Sequence, residues 1–293
     1  MNKLWRRLKR DFRNVKSIDR SSKRVENSLG ALLNRNFGHL KNPEWDQWAS
    51  YRAWFRSLEV SHRSQNGEDG ILLAIFNEIG VKHYSFIEFG VGNGEQCNAA
   101  NLAKNFGWRG LMIEGNATKA RQAAAFYRDD AVTVLNEFIT KENINALFRQ
   151  AGFEGEIDLL SVDIDGNDYW IWHEIEAINP RVVVVEFNNS FGKDESLTVP
   201  YDPAFDRFKY HSSGIYHGMS LPAAVKLGME KGYHYIGCDS LGVNAFFIRK
   251  DEKFKNFKSV SPSDFFEEQY FRNKKMSIQD QQEILKGLKL VKV

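Results

Sequence analysis

The 293-residue sequence predicts an α/β fold, one mostly parallel sheet with helices on both faces. Three observations predict it. From residue 64 onward, short apolar runs alternate with stretches whose apolar residues recur at helical spacing, as in repeated βα units. Residues 182–185 are four consecutive valines bounded by charged residues, which suits a strand buried on both faces of a parallel sheet. A glycine-alternating segment, Gly90-Val-Gly92-Asn-Gly94, falls directly between a predicted strand and a predicted helix.

Taken in order, Leu4, Leu8, Phe12, Val15 and Ile18 recur at steps of three or four, which makes a helix with a basic opposite face. Residues 1–24 hold ten basic side chains against Asp11 and Asp19, so this segment carries +8 of a net +2 and the remainder carries −6. Such a helix either packs on the body or on a second copy of the chain, or lies on an anionic membrane surface. A second helical stretch, 43–58, is rich in Trp45, Trp48, Trp54 and Phe55 and caps the domain that follows. Asn66 and Asp69 mark a helix start that continues over 71–79. Strands are then expected at 84–89, 110–114, 131–135, 158–163 and 181–187, with helices at 95–106, 119–127 and 141–150. Residues 188–219 lack periodicity and are too long for an ordinary connection, the mark of a functional loop. A helix at 222–231, strands at 233–238 and 245–249, and a last helix near 278–288 complete the chain. The organisation is thus a helical extension (1–60), an α/β domain (61–250) and a helical tail (251–293).

Composition narrows the function. Hydrophobic residues at 42% and charged residues at 27% fit a soluble globular protein. Cys97 and Cys238, far apart, form neither a disulfide framework nor a zinc site, and a reducing cytoplasm is expected. No apolar run approaches the roughly 18 residues that span a bilayer, so membrane contact is expected only through residues 1–24, at the inner face. A body carrying −6 repels phosphate backbones, and the Asn/Asp-Pro-Pro-aromatic signature of nucleic-acid methylation is absent, so no nucleic acid is expected as partner.

The chemistry concentrates at strand ends. In Glu88-Phe-Gly90-Val-Gly92-Asn-Gly94 the glycines let backbone N–H groups approach a ligand at the start of the next helix. A dinucleotide fingerprint needs a further glycine where Glu95 stands, which argues against a nicotinamide cofactor. Glu114, closing the next strand, is placed to accept from two ribose hydroxyls. Asn136, closing the one after, is either an adenine contact or a turn residue. Two later strand ends are acidic: Asp163-Ile-Asp165-Gly-Asn-Asp168 and Glu186-Phe-Asn188-Asn189. Asp163 or Asp165 is a candidate general base, and His217 is a further candidate base or acceptor contact. Asp163, Glu186 and Asn188 form an oxygen donor set suited to Mg²⁺ or Mn²⁺.

Ser64-Gln-Asn-Gly-Glu-Asp69, the Glu88–Gly94 loop, Glu114-Gly-Asn116, Ser161-Val-Asp-Ile-Asp-Gly166 and Gly242-Val-Asn-Ala-Phe-Phe-Ile248 together resemble the FkbM-type branch of the class I methyltransferases, over roughly residues 61–250. The resemblance implies a Rossmann-like sheet of seven strands, order 3-2-1-4-5-7-6, with the last strand antiparallel. It implies S-adenosyl-L-methionine as cofactor and O-methylation, often of a sugar or glycan hydroxyl. Carried over, Glu88 faces the methionyl amino group, Gly90, Gly92 and Gly94 line the methionyl and ribose portions, and Glu114 holds the ribose. Gln65 and Asp69 match a family motif, and positioning the first helix accounts for them equally well. The possible metal set resembles that of catechol O-methyltransferase, except that Glu186 and Asn188 stand two apart rather than adjacent. Two other function classes remain: a nicotinamide-dependent oxidoreductase, and a nucleoside-binding, membrane-associated scaffold without catalysis.

Overall fold

The computed structural model describes residues 50–293. The basic segment 1–24, Trp45 and Trp48 lie outside the described residues.

Two short helices precede the sheet, α1 (Tyr51–Arg56) and α2 (Glu68–Ile79). There follow β1 (Ser85–Phe89), α3 (Ala100–Phe106), β2 (Arg109–Ile113), α4 (Ala117–Phe126), β3 (Val132–Leu135), α5 (Ile144–Gln150), β4 (Gly155–Val162), α6 (Asp168–Glu174) and β5 (Ile178–Glu186). After β5 come β6 (Leu197–Thr198), α7 (Arg207–Tyr210), α8 (Leu221–Glu230), β7 (Tyr233–Cys238), β8 (Asn244–Arg249), α9 (Tyr270–Asn273), α10 (Ile278–Lys286) and β9 (Val291–Lys292). The first five sheet strands pair in parallel, and β8 joins antiparallel between β5 and β7.

The sheet has seven strands in the order β3-β2-β1-β4-β5-β8-β7. This differs in number from the expected 3-2-1-4-5-7-6 for a physical reason. Leu197–Thr198, read as irregular from the sequence, is a strand outside the sheet, paired with Val291–Lys292, and every later strand is renumbered. The antiparallel last sheet strand is found as expected.

The four valines of β5 are all fully buried, as two-faced coverage requires. Phe246 and Phe247 on β8 show both covers at once. Phe247 packs on Trp172 of α6, ring centroids 5.1 Å apart, whereas Phe246 meets Phe55 of α1 at 5.9 Å on the other face. Helix starts follow capping chemistry: the Asn116 side chain accepts from Thr118 and Lys119 N–H, and Ser220 caps α8 with a proline in its first turn.

A second, smaller core gathers Phe191, Phe205, Ile215, Tyr216 and Leu285. It binds the 188–219 segment to α10, so the tail is part of the body rather than an appendage. At the sheet edge opposite the glycine loop, Arg181 is fully buried and donates to Asp158, Glu252 and the carbonyls of Ile79 and Gly80. Among the described residues, no helix is long and apolar enough to cross a membrane.

Candidate active site

At the carboxyl ends of β1, β2, β4 and β5 two cavities meet, of about 400 and 520 Å³, sharing Gly90, Lys119, Asp163 and Asp165 as walls. This is the edge where open α/β sheets bind ligands.

Gly90 turns the chain out of β1 with φ 66°, and its backbone N–H donates to the carbonyl of Ile113 on β2. A Cβ here would lie 1.7 Å from the carbonyl oxygen of Asp163, so only glycine passes between β1 and the end of β4. Glu114 fastens the far side of the loop: Oε2 accepts from Gly92 N–H and Oε1 from Asn116 N–H, both at 2.8 Å. Each carboxylate oxygen keeps capacity for a second hydrogen bond, and Glu114 is a wall of the smaller cavity.

Glu88 is buried with three donors on its carboxylate: Asn98 N–H and Ala99 N–H at 2.8 Å, and Ser161 Oγ at 3.2 Å. It thereby satisfies N–H groups that the helix expected at 95–106 would have used itself, which is why α3 begins only at Ala100. It also borders the larger cavity. Burial pushes its carboxyl up to about 7 from an ordinary 4.5, against the three donors that favour the anion.

A pH prediction follows. Between those two values the native state holds a proton that the unfolded chain has released, so stability falls as pH rises across the window and levels off above it. The expected loss is up to about 3 kcal/mol. Glu88→Gln, which does not titrate, should show a shallower slope than the wild type when melting temperatures are compared at pH 5 and pH 8, since the other raised carboxyls, Glu59 and Asp168 among them, still contribute. Equal slopes in both proteins would remove Glu88 as the cause.

Two residues expected at the cofactor border neither cavity. Gly94 packs under Tyr127, whose hydroxyl donates to the Gly94 carbonyl at 2.6 Å. Asn136 spends its amide on the carbonyls of Glu114 and Gly115, the turn role, and the cavity wall at that strand end is Glu137, Phe138 and Ile139 instead. Of the Ser64–Asp69 motif, Asp69 Oδ2 accepts from the N–H groups of His62, Arg63 and Ser64, holding the turn before α2, and Gln65 borders the larger cavity.

The acidic strand ends do converge. Asp163, Asp165 and Glu186 border the larger cavity, and Asp168 lies beneath. Asp165 adopts φ 56°, rare outside glycine, and pairs with Arg207 of α7. Asp163 and Glu186 bring carboxylate oxygens within 4.8 Å of one another, and both are pushed well up, by burial first and then by the neighbouring acids Asp165 and Asp168. Two adjacent carboxyls of this kind share a proton, and the pair titrates as a unit.

The expected metal donors fare differently. Asn188, fully buried, is not a ligand: its amide donates to the carbonyls of Ile215 and His217, and its Oδ1 accepts from Arg272 and Ser190 N–H. Two other groups bring potential ligand atoms within 4.8 Å, Asp165–Glu186–His217 and Asp163–Asp168–Glu186. In these groups Asp168 accepts from Ile164 and Gly166 N–H, and Asp165 is held by Arg207. With Asn188 spent on its own hydrogen bonds, the expected Asp163–Glu186–Asn188 set does not form a Mg²⁺ or Mn²⁺ site.

His217 is not the exposed base that its loop position predicts. It is 1% exposed and borders neither cavity. Its Nε2 lies 3.1 Å from an Arg272 nitrogen, which can only donate, so the ring proton sits on Nδ1. Nδ1 faces Glu186 Oε2 at 3.6 Å. Burial, with Arg272 and Arg207 nearby, holds the imidazole neutral.

Sequence reasoning missed Lys119, Arg207 and Arg272. The first lies on a helix face with nothing to mark it, and the other two come from segments whose place beside the sheet depends on the second core.

No family model and no curated protein matches the chain. Among solved structures it is similar to a protein from Galdieria sulphuraria described as a candidate sarcosine dimethylglycine methyltransferase, at 16% identity and TM-score 0.36, over 55% of this chain and 58% of that one. It is similar to the N-terminal domain of EvdMO1, solved in the presence of SAH and D-fucose, at 12% identity and TM-score 0.40, over 67% of this chain and 85% of that one. It is also similar to Aeropyrum pernix fibrillarin with natively bound S-adenosyl-L-methionine, at 11% identity and TM-score 0.39, over 57% of this chain and 67% of that one. The chain thus spans little more than half of the Galdieria protein. Similarity of this size bears on no residue of the site, and the fold stands on its own strand order.

Proposed function

We propose that the protein is an S-adenosyl-L-methionine-dependent methyltransferase that methylates a hydroxyl, with a sugar or glycan as acceptor. One observation carries the reading. A glycine turn pressed against β4, with a strand-end glutamate fastened to its backbone, opens onto a cavity whose far wall is a cluster of acids. The smaller cavity, about 400 Å³, lies within the range of nucleoside-sized pockets.

Glu114 and the Glu137–Ile139 wall would hold the adenosine, Gly90 and Gly92 the chain beyond it, and Glu88 the amino end. Bound there, adenosylmethionine supplies a sulfonium methyl. The acceptor hydroxyl gives its proton to the Asp163–Glu186 pair as its oxygen forms the O–CH₃ bond, and the electron pair of the broken S–CH₃ bond stays on sulfur. Burial holds the Glu186 carboxyl well above the ordinary carboxylate range, so its anion is a stronger base than a free carboxylate, which suits a hydroxyl of high pKa. The acceptor must lie in line with the breaking bond, and Asp163, bordering both cavities, stands where the two ligands would meet. The sugar assignment rests on the resemblance over residues 61–250, and the basic segment 1–24 would bring the enzyme to the inner membrane face.

Isothermal titration with S-adenosylhomocysteine tests the reading. Micromolar binding is expected in the wild type, with at least a tenfold loss in Glu114→Ala and no change on adding EDTA. Folded protein that ignores the ligand but binds a nicotinamide dinucleotide would replace this function with the oxidoreductase. Folded protein that binds neither ligand would end it and leave the scaffold.

A further inference from the structure

Arg272, on the short helix α9 of the C-terminal tail, reaches across the sheet edge into the larger cavity. Its guanidinium is held from behind: one nitrogen donates to Asn188 Oδ1 at 2.6 Å and Ser190 Oγ at 2.8 Å. Its other nitrogen meets His217 Nε2 at 3.1 Å. Neutral imidazole carries one proton and one lone pair. Because guanidinium has no lone pair to offer, the geometry fixes the less common tautomer, with the proton on Nδ1.

That proton points at something. His217 Nδ1 and Glu186 Oε2 are both buried without a hydrogen-bond partner, and they face one another at 3.6 Å, just beyond hydrogen-bond reach. Two orphaned groups of opposite kind, donor and acceptor, are costly apart and mutually satisfied by a small approach. Glu186 in turn lies beside Asp163, their carboxylate oxygens within 4.8 Å of one another.

We propose that Arg272 and His217 are positioning residues: Arg272 sets the imidazole tautomer, His217 turns its Nδ1–H onto Glu186, and the anionic end of the Asp163–Glu186 pair is thereby held in place. The C-terminal tail is then a working part of the site. This rests on the proton-accepting role given to that pair above, but its geometry is measurable without any methyl acceptor.

The test is ¹⁵N NMR of the histidine rings in the full chain. Wild-type His217 is expected to show a protonated-type Nδ1 and a pyridine-type Nε2, unchanged between pH 6 and 8. Arg272→Met removes the donor, and the ring should switch to the commoner Nε2–H form. Arg272→Lys, which keeps a donor, should preserve the wild-type pattern. A wild-type ring protonated on Nε2, or on both nitrogens, overturns the proposal whether or not any variant folds. So does a folded Arg272→Met protein with an unchanged tautomer. S-adenosylhomocysteine titrated into the same wild-type sample separates the two claims. Binding with the wrong tautomer sinks only the positioning role, whereas the right tautomer without binding sinks only the methyltransferase reading.

Discussion

Gly90→Ala is expected to weaken S-adenosylhomocysteine binding about a hundredfold or more, the scale of loss when a site is displaced by about an ångström. The added Cβ would lie 1.7 Å from the Asp163 carbonyl oxygen and 2.9 Å from its carbon. Neither atom can rotate away, because both are backbone at the end of β4. Either the glycine turn lifts off the sheet or Asp163 moves, and each opens the junction of the two cavities. Gly92→Ala provides the contrast. It has a similar positive φ, 58°, but nothing within 4 Å of the new Cβ, so it should cost only the conformational strain, about 1–2 kcal/mol. Titration calorimetry of both variants, with far-UV circular dichroism to check folding, decides the matter. Equal behaviour of the two would mean that conformation rather than close approach makes Gly90 necessary. Wild-type affinity in Gly90→Ala would mean that the ligand does not lie on this turn.

The sheet was readable because its central strands are continuous apolar runs, and β-branched residues buried on two faces leave little ambiguity. The expected strands begin at Asp158 and Arg181, but in the fold they begin three residues earlier, across Gly155 and Glu156 and across Asn179 and Pro180, residue types that do not mark a strand; the Asp158 and Arg181 side chains meet inside the sheet edge at 2.7 Å. The helix over 95–106 was read too long for a tertiary reason, since Glu88 takes its first N–H groups. Glu88, Gly90, Gly92 and Glu114 were legible as a set because one local motif and one strand end carry them. Asn188 reads as an oxygen donor beside the acidic strand end, but β5 ends at Glu186, the chain turns, and the Asn188 side chain is spent on Ile215, His217 and Ser190. Arg272 had no signal at all. Its approach depends on α9, the two-residue strands β6 and β9 and the second core, none of which has a periodicity long enough to read.

The largest stability effect is expected far from the chemistry, at Arg181. Its guanidinium is fully buried and makes five hydrogen bonds: to Asp158 at 2.7 Å, to Glu252 at 2.7 and 2.8 Å, and to the carbonyls of Gly80 and Ile79 at 2.8 and 3.0 Å. Asp158, also fully buried, accepts in addition from the N–H groups of Lys82 and His83, so one ion pair ties together the end of α2, the start of β1 and both central strands. Arg181→Met fills similar volume but strands the Asp158 carboxylate, and should cost about 3–5 kcal/mol, the usual penalty for an uncompensated buried charge. The ion pair itself is a weaker asset than this number implies, because both charges were desolvated to make it. Arg181→Met combined with Asp158→Asn, which keeps one acceptor oxygen for the shorter bond from His83 N–H and gives up the 3.2 Å bond from Lys82, should therefore recover part of the loss. Urea denaturation gives the three stabilities. If the double variant is as unstable as the single one, the network's value lies in its hydrogen bonds to Glu252 and the α2 carbonyls rather than in charge pairing. In either case affinity for S-adenosylhomocysteine should be unchanged in the folded variants, since Arg181 stands at the edge of the sheet opposite the glycine turn.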